Sequence, residues 1–174
     1  MNGYLRVTQT LNPFSGLDSV DDQTLANACR RGTKVHRICE CIVRGLGDFG
    51  NDEEAQPFVE SFEHWWQTNP NVIEIEKRYF CKTYMITGQI DYICKDDDGY
   101  YIVDIKTSYS PSKTWKPQGS AYAYLCRIHG YDIKKIQFLH LKRNGKPPKI
   151  IEYEPDEDLY FSIYKTFKYF YGAA

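Results

Sequence analysis

The sequence predicts a single mixed α/β domain in which a central mixed β-sheet is flanked by helices. The predicted elements follow one another as three helices, three strands, one helix, two strands and a final helix. The chain has 174 residues, 42% of them hydrophobic, which suffices for one domain with its own core. Neither an internal repeat nor a Gly/Pro-rich linker divides it. We therefore expect no second domain.

The first helices follow capping signals in the sequence. Ser19 can cap a helix over residues 21–31, and the glycine that follows is expected to end this helix. Thr33 can then cap a second helix, which would place His36 in its first turn. With a third, aromatic-rich helix, these elements extend to residue 67. We expect them to pack over the core of the domain.

That core is predicted over residues 72–154, where apolar, β-branched runs are typical of strands. Strands are expected at 72–81, 85–94, 100–106, 133–142 and 149–153. A helix over 117–128 separates the third of these strands from the fourth. Asp156 can cap a C-terminal helix over 157–171, which ends before a glycine.

Two carboxylates and a lysine lie on two neighbouring predicted strands. Asp104 and Lys106 are two residues apart, so their side chains should point to the same face. The Asp98-Gly99 pair predicts a tight hairpin, which would bring Asp91 beside them. Carboxylates bind Mg²⁺, and a nearby lysine can orient or deprotonate a water or stabilise charge on a phosphate. The pattern fits a metal-dependent phosphodiester hydrolase, although an isolated Asp-x-Lys is more often a solvated ion pair.

Further residues accompany this set. Gln118 and Tyr122 are four apart on a predicted helix and share a face, although taken alone they would be an ordinary helix face. Gly88 precedes Asp91 and allows another backbone to approach closely. A histidine near a helix start, such as His36, is more often a surface or capping residue, but beside this set it becomes a candidate metal ligand.

In order and spacing these pieces resemble the RecB-like branch of the PD-(D/E)XK nuclease superfamily. The matching segments are RGTKVH, GQID, DIK and QGSAY, at residues 31–36, 88–91, 104–106 and 118–122. The opening LRVTQTLNPFSGL also resembles phage-type exonucleases and the mitochondrial genome maintenance exonuclease. Each segment is short, but their shared order is more specific than any one of them.

The resemblance implies a role for each matching residue. Asp91, Asp104 and His36 would hold Mg²⁺ or Mn²⁺, with the Ile105 carbonyl as a further ligand. Lys106 would be the catalytic lysine.

Gln118 and Tyr122 would complete the catalytic set by holding the lysine and the DNA strand in register. Ile90 stands where the superfamily's name has proline, a common replacement in this branch. Glu74 and Glu76 lie two apart on the preceding strand, which predicts a shared face. Either could line the site, and we favour Glu76 as a further metal ligand.

The distribution of charge favours a nucleic-acid partner, although the net charge is only −1. Residues 48–76 contain eight acidic residues and no Lys or Arg, whereas residues 106–149 contain ten basic residues and one acid. Such segregation predicts a basic face that binds DNA, which we expect to be single-stranded. The expected contacts are Lys113, Trp115, Lys116, Gln118 and Tyr122. A core position for Trp115 is equally compatible with the sequence.

Other cofactors and compartments are disfavoured. CRISPR-associated relatives of this branch carry an iron–sulfur cluster on four cysteines, but here the last cysteine is Cys126, so no cluster is expected. The sequence contains no C-x₂-C pair, which would indicate a zinc site. It also contains no GxxxxGK[ST] loop, which would indicate an ATP motor. Without a membrane-length apolar run or a signal sequence, we expect a cytoplasmic protein, of possible viral origin, in which the cysteines are reduced.

The first hypothesis for function is a metal-dependent exonuclease that degrades single-stranded DNA from a free end. It would act in recombination, repair or replication, with a recombination or single-strand-annealing protein as a possible partner. The alternatives are a structure-specific or restriction-like endonuclease and a non-catalytic nucleic-acid-binding protein on a nuclease fold. Retention of Asp91, Asp104 and Lys106 disfavours the last of these.

Overall fold

The computed structural model describes residues 3–17, 20–47 and 52–172. The helices are α1 Val7–Leu11, α2 Asp22–Val43, α3 Gln56–Trp66, α4 Trp115–Arg127 and α5 Glu157–Tyr171, with a 3₁₀ turn at Asn12–Phe14. The strands are β1 Leu5–Arg6, β2 Val72–Cys81, β3 Ile86–Asp96, β4 Gly99–Lys106, β5 Ile133–His140 and β6 Lys149–Tyr153.

The strands form one mixed sheet in which β3 has three partners. One edge of β3 pairs with antiparallel β2 along most of its length. The other edge pairs with parallel β1 at Ile86 and Thr87, and with antiparallel β4 from Tyr92 to Asp96. Beyond β4 follow parallel β5 and antiparallel β6. Between Thr87 and Tyr92, β3 forms no strand pairing on the β4 side within the described residues, so the two strands fork there.

Helices cover both faces of the sheet and bury a separate apolar cluster on each. On one face, α1, α4 and α5 pack against β-residues such as Ile86, Ile102 and Ile136. On the other, α2 and α3 pack against residues such as Tyr92 and Leu139. Each fully buried aliphatic or aromatic side chain contributes roughly 1.5–3 kcal/mol, so both helical layers are held firmly against the fork.

The predicted fold class is confirmed, and the five strands predicted within residues 72–154 have bounds within two residues of those expected. Asp156 caps α5, accepting a hydrogen bond from Leu159 N at 3.0 Å. The hairpin turn lies one residue earlier than predicted: Asp96 pairs with Gly99. Gly99 has φ +126, which glycine adopts without the strain that a side chain would bring.

The prediction that the helix ends at Gly32 is wrong, because α2 continues from Asp22 to Val43. A glycine within a helix costs about 1 kcal/mol, which the burial of Val35 and Cys39 on the sheet offsets. Thr33 therefore lies within the helix, and His36 is not in a first turn. Asp21 caps α2 by accepting from Thr24 N at 2.9 Å. The predicted cap, Ser19, lies outside the described residues.

Strand β1 and helix α1 were not predicted from the sequence. These elements are too short for a periodic pattern, yet Val7 and Leu11 are buried. The cysteines are all free thiols, and burial raises the pKa of Cys94 and of Cys126 to about 12, so neither is a reactive thiolate. Among the described residues, no helix is both long and apolar enough to cross a membrane.

Candidate active site

The fork between β3 and β4 brings the two predicted carboxylates together. Asp91 leaves the ladder on β3, and its Oδ2 accepts a hydrogen bond from Ile105 N on β4 at 2.7 Å. The Asp91 carboxylate thus takes the place of the β3 carbonyl that would accept from the Ile105 amide if the two strands were paired here. Asp91 and Asp104 are only 6% and 2% exposed. The local divergence of two strands is therefore what creates a buried acidic site.

Lys106 is fixed beside Asp104 by a network that includes α4. Its Nζ lies 2.6 Å from Asp104 Oδ2 and donates to Gln118 Oε1 at 3.1 Å. Gln118 Nε2 in turn donates to Asp104 Oδ1 at 3.2 Å and to Tyr122 OH at 3.1 Å. One amide side chain thus fixes both members of the ion pair, and the structure joins these four predicted residues.

Two glycines allow α4 to lie close enough for these contacts. A Cβ on Gly88 would lie 2.7 Å from a ring carbon of Tyr122 and 2.9 Å from Leu125. A Cβ on Gly119 would lie 2.6 Å from Ile136. Real Cβ contacts are not this short, so a side chain at either position would force α4 away from the sheet.

His36 reaches the fork from the middle of α2. Its Nδ1 lies 3.3 Å from Asp91 Oδ2, and its Nε2 lies 3.0 Å from the Ile105 carbonyl oxygen. Burial lowers the pKa of His36, but the carboxylates of Asp91 and Asp104 together outweigh burial and raise the pKa to about 9. The protonated ring can donate from both nitrogens, so it bridges two of the predicted metal ligands.

Glu76 joins this group, whereas Glu74 does not. Glu76 Oε1 lies 3.9 Å from His36 Nδ1. Glu74 instead accepts a hydrogen bond from Tyr131 OH at 2.9 Å. Tyr131 packs against the apolar cluster beneath α4 and α5. The expectation that the two glutamates share a face is therefore wrong. Glu76 has φ +51, which interrupts the alternation of side chains along β2; such backbone strain recurs at functional sites.

Burial and the neighbouring charges shift the pKa values of the three carboxyl groups. Burial and the neighbouring Asp91 raise the pKa of Glu76 to about 7. Burial raises the pKa of Asp104 to about 6, although Lys106 opposes it. Burial alone would raise the pKa of Asp91, but His36 and the Ile105 amide hold it below its usual value. A positive charge added at the fork would relieve the repulsion between these carboxylates.

The donors fit a divalent cation. His36, Glu76 and Asp91 each offer a ligand atom, and these atoms lie within 4.8 Å of one another. Asp104 is not part of this group. Its buried Oδ2 is ion-paired with Lys106 at 2.6 Å, and a carboxylate oxygen with one such partner keeps a lone pair for another. Carboxylates with one imidazole suit Mn²⁺ as well as Mg²⁺.

Trp115 is not placed to stack on a base. It is 3% exposed and stacks on Phe138, with ring centroids 5.3 Å apart. This corrects its assignment as a nucleic-acid contact; the indole fills the core because it is the first residue of α4 and faces the sheet. Lys116 pairs with Asp156 at 3.2 Å, while Lys113 is exposed in the loop before α4.

Besides Lys106, which pairs with Asp104, the basic residues of the 106–149 segment fall into two groups. Four form ion pairs with acidic partners and are thereby partly neutralised: Lys116, Arg127, Lys134 and Lys135. Within the described chain, no salt bridge is found for five others: Lys113, Lys142, Arg143, Lys146 and Lys149. These five lie beyond the carboxyl ends of β4 and β5 or at the start of β6, so unpaired positive charge collects near Lys106.

Gln89 is a site residue that the sequence reasoning missed. Its Nε2 donates to Glu76 Oε2 at 2.6 Å, and its Oε1 accepts from Arg78. It lines an open cleft of about 530 Å³ together with His36, Glu76 and Asp91. Its position within the GQID segment was the available signal.

Solved structures share this fold. The chain superposes on the protein SSO0001 with a TM-score of 0.56 and 17% identity, over 99% of this chain and 78% of that one. An alkaline exonuclease from Laribacter hongkongensis, LHK-Exo, gives a TM-score of 0.52 and 12% identity, over 95% of this chain and 86% of that one. No curated protein matches the sequence.

The forked sheet, with its carboxylates and lysine, is the arrangement expected of a phosphodiesterase centre. A model of the PD-(D/E)XK nuclease superfamily matches residues 51–167. Since this is about two thirds of the sequence, the chain belongs to the PD-(D/E)XK nuclease superfamily. The match includes Asp91, Asp104, Lys106 and Gln118, whereas His36 on α2 precedes it.

Proposed function

We propose that this protein is a metal-dependent DNA exonuclease of the RecB-like, phage-type group, and that its whole chain forms one nuclease domain. It hydrolyses single-stranded DNA from a free end. The observation that carries the proposal is the fork, where Asp91 and Asp104 meet Lys106 on one side and His36 on the other. A recombination, repair or replication role follows from the sequence resemblance alone.

The residues that would hold Mg²⁺ or Mn²⁺ are Asp91, Asp104 and His36, with the Ile105 carbonyl and Glu76 as further ligands. The bound ion would lower the pKa of a water and neutralise charge on the phosphate. His36 must release a proton from one ring nitrogen for the imidazole to act as a ligand.

Lys106 is the residue of this chain that we assign to the reacting phosphate. It is held by Gln118, 18% exposed in its side chain, and already paired with Asp104. From there the ammonium can stabilise the negative charge that develops on the phosphate, or orient the attacking water. Gln118 and Tyr122 are positioning residues, since they act through the lysine.

The surroundings of the fork favour a flexible strand as substrate. Helices α2 and α4 flank the site from the two faces of the sheet, and a single strand enters between such walls more readily than a rigid duplex. The unpaired lysines and arginine beyond β4 and β5 offer contacts for its phosphates.

A matched pair of DNA substrates tests the exonuclease reading. A single-stranded circle and the same circle opened once have one sequence and differ only in having an end. With Mn²⁺, we expect the opened strand to be degraded progressively while the circle persists. Equal cutting of both substrates would indicate an endonuclease instead of an exonuclease. Cutting of neither would contradict the proposed function.

A further inference from the structure

Two loops meet beyond the carboxyl ends of the parallel strands β4 and β5. The first, residues 107–114, follows Lys106, and the second, residues 141–148, joins β5 to β6. Tyr109 on the first loop is 88% exposed, more than any other large apolar or aromatic side chain described. It lies three residues beyond the catalytic-lysine candidate.

Backbone contacts tie the two loops to the site. Leu141 N donates to the Lys106 carbonyl at 2.9 Å, and the His140 ring lies 2.8 Å from the Ser108 carbonyl oxygen through Nε2. Tyr109 is therefore attached to a short, anchored stretch of chain, although its own ring is not packed. The ends of β4 and β5 therefore determine where Tyr109 lies relative to Lys106.

A cation accompanies the exposed ring. The Arg143 guanidinium lies 6.0 Å from the centroid of Tyr109, and Arg143 has no acidic partner among the described residues. Gly145 on the same loop lies against Glu60 of α3, where a Cβ would be 2.3 Å from a carboxylate oxygen. Lys142 N, on the same loop, donates to Ser61 Oγ of α3 at 2.9 Å, which anchors the loop that carries Arg143.

Folding does not account for this pair. A phenol ring left in water gives little burial energy, and an exposed cation–π contact contributes only about 0.5–1 kcal/mol. An open aromatic face beside an unpaired guanidinium is, by contrast, what a single-stranded nucleic acid needs, since bases stack on the ring and phosphates bind the cation.

We propose that Tyr109 and Arg143 form a platform that holds the DNA strand next to the scissile phosphate, with a base stacked on Tyr109 and a phosphate bound by Arg143. The proposal rests on the nuclease function proposed above. It gives this pair, rather than the buried Trp115, the stacking role that the sequence suggested.

Binding in EDTA separates the platform from catalysis. The probes are a fluorescent oligothymidylate and an abasic oligodeoxynucleotide of the same length, which has the phosphates but no bases. We expect Tyr109→Ala to weaken oligothymidylate binding roughly 5- to 100-fold and to abolish the preference over the abasic strand, while Tyr109→Phe retains both. Arg143→Ala should weaken both probes and reduce the salt slope by about 0.7.

Tyr169→Ala is the matched control, because Tyr169 is 83% exposed on α5 and is not near either loop in sequence. It should bind as the wild type does. If Tyr109→Ala keeps both its affinity for oligothymidylate and its preference over the abasic strand, the proposed platform is wrong, and the proposed nuclease function is not affected. If the wild type cleaves no nucleic acid with Mn²⁺, the proposed function itself fails.

Discussion

Lys106 shows how one residue depends on its neighbours. Its ammonium is paired with a nearly buried carboxylate and hydrogen-bonded by Gln118, so its position is set before any substrate arrives. Preorganised charge of this kind costs no rearrangement during reaction, and its loss therefore appears mainly in the rate.

Replacing Lys106 by glutamine tests this role. Lys106→Gln keeps a donor for Asp104 but removes the charge, so we expect the rate of DNA hydrolysis to fall by about 10²–10³ with the fold retained. The rate is measured under single-turnover conditions, with Lys134→Gln as control because Lys134 is exposed and pairs with exposed Asp132. A near wild-type rate for Lys106→Gln would remove this residue from the mechanism.

Glu76 and Glu74 provide a second test from one strand. Glu76 faces His36 and Asp91, whereas Glu74 binds Tyr131. We expect Glu76→Gln to weaken Mn²⁺ binding about 10- to 100-fold, as for loss of a ligand or of its support, and Glu74→Gln to leave it unchanged. Calorimetric titration with Mn²⁺ measures both, and equal affinities for the two variants would exclude Glu76 from the site.

At the scale of secondary-structure elements, the distance between α4 and the sheet decides whether Gln118 reaches Lys106. Gly88 and Gly119 set that distance. Gly88 was predicted to allow a close approach, and the structure shows that the approaching group is the Tyr122 ring.

A methyl group at this contact should therefore affect both stability and activity. Because a Cβ at residue 88 would lie 2.7 Å from Tyr122, we expect Gly88→Ala to lower the free energy of unfolding by about 1–3 kcal/mol and to reduce activity. Urea denaturation measures the first effect. Gly47→Ala is the control, since nothing lies within 4 Å of its added Cβ, and equal stability of the two variants would contradict this packing.

Apolar, β-branched runs made β3 and β4 predictable, because helices cover both faces of the sheet and these strands are buried over most of their length. The expected alternation of side chains failed on β2 at Glu76, where φ +51 interrupts it; a residue's own sequence context does not reveal that strain. The prediction that the helix ends at Gly32 failed because the low helix propensity of glycine costs less free energy than the burial of the neighbouring turns contributes. Trp115 was ambiguous because its burial depends on β5, which lies far along the chain.

At the scale of the molecule, a net charge of −1 conceals a division of charge. Acidic residues of the 48–76 segment are partly neutralised by α2, through Arg31 with Glu54 and Lys34 with Asp52. The unpaired basic residues instead gather at the ends of β4 and β5. The overall charge therefore says less about a nucleic-acid partner than the position of the unpaired charges does.

We propose above all that the fork between β3 and β4 hydrolyses DNA with a divalent metal. The most direct measurement is release of nucleotides from end-labelled linear single-stranded DNA by the wild type and by Asp104→Asn, with Mn²⁺ and with excess EDTA. We predict release only by the wild type with Mn²⁺, lost in EDTA and restored when Mn²⁺ is returned in excess. Undiminished release in EDTA, or by Asp104→Asn, would contradict the claim.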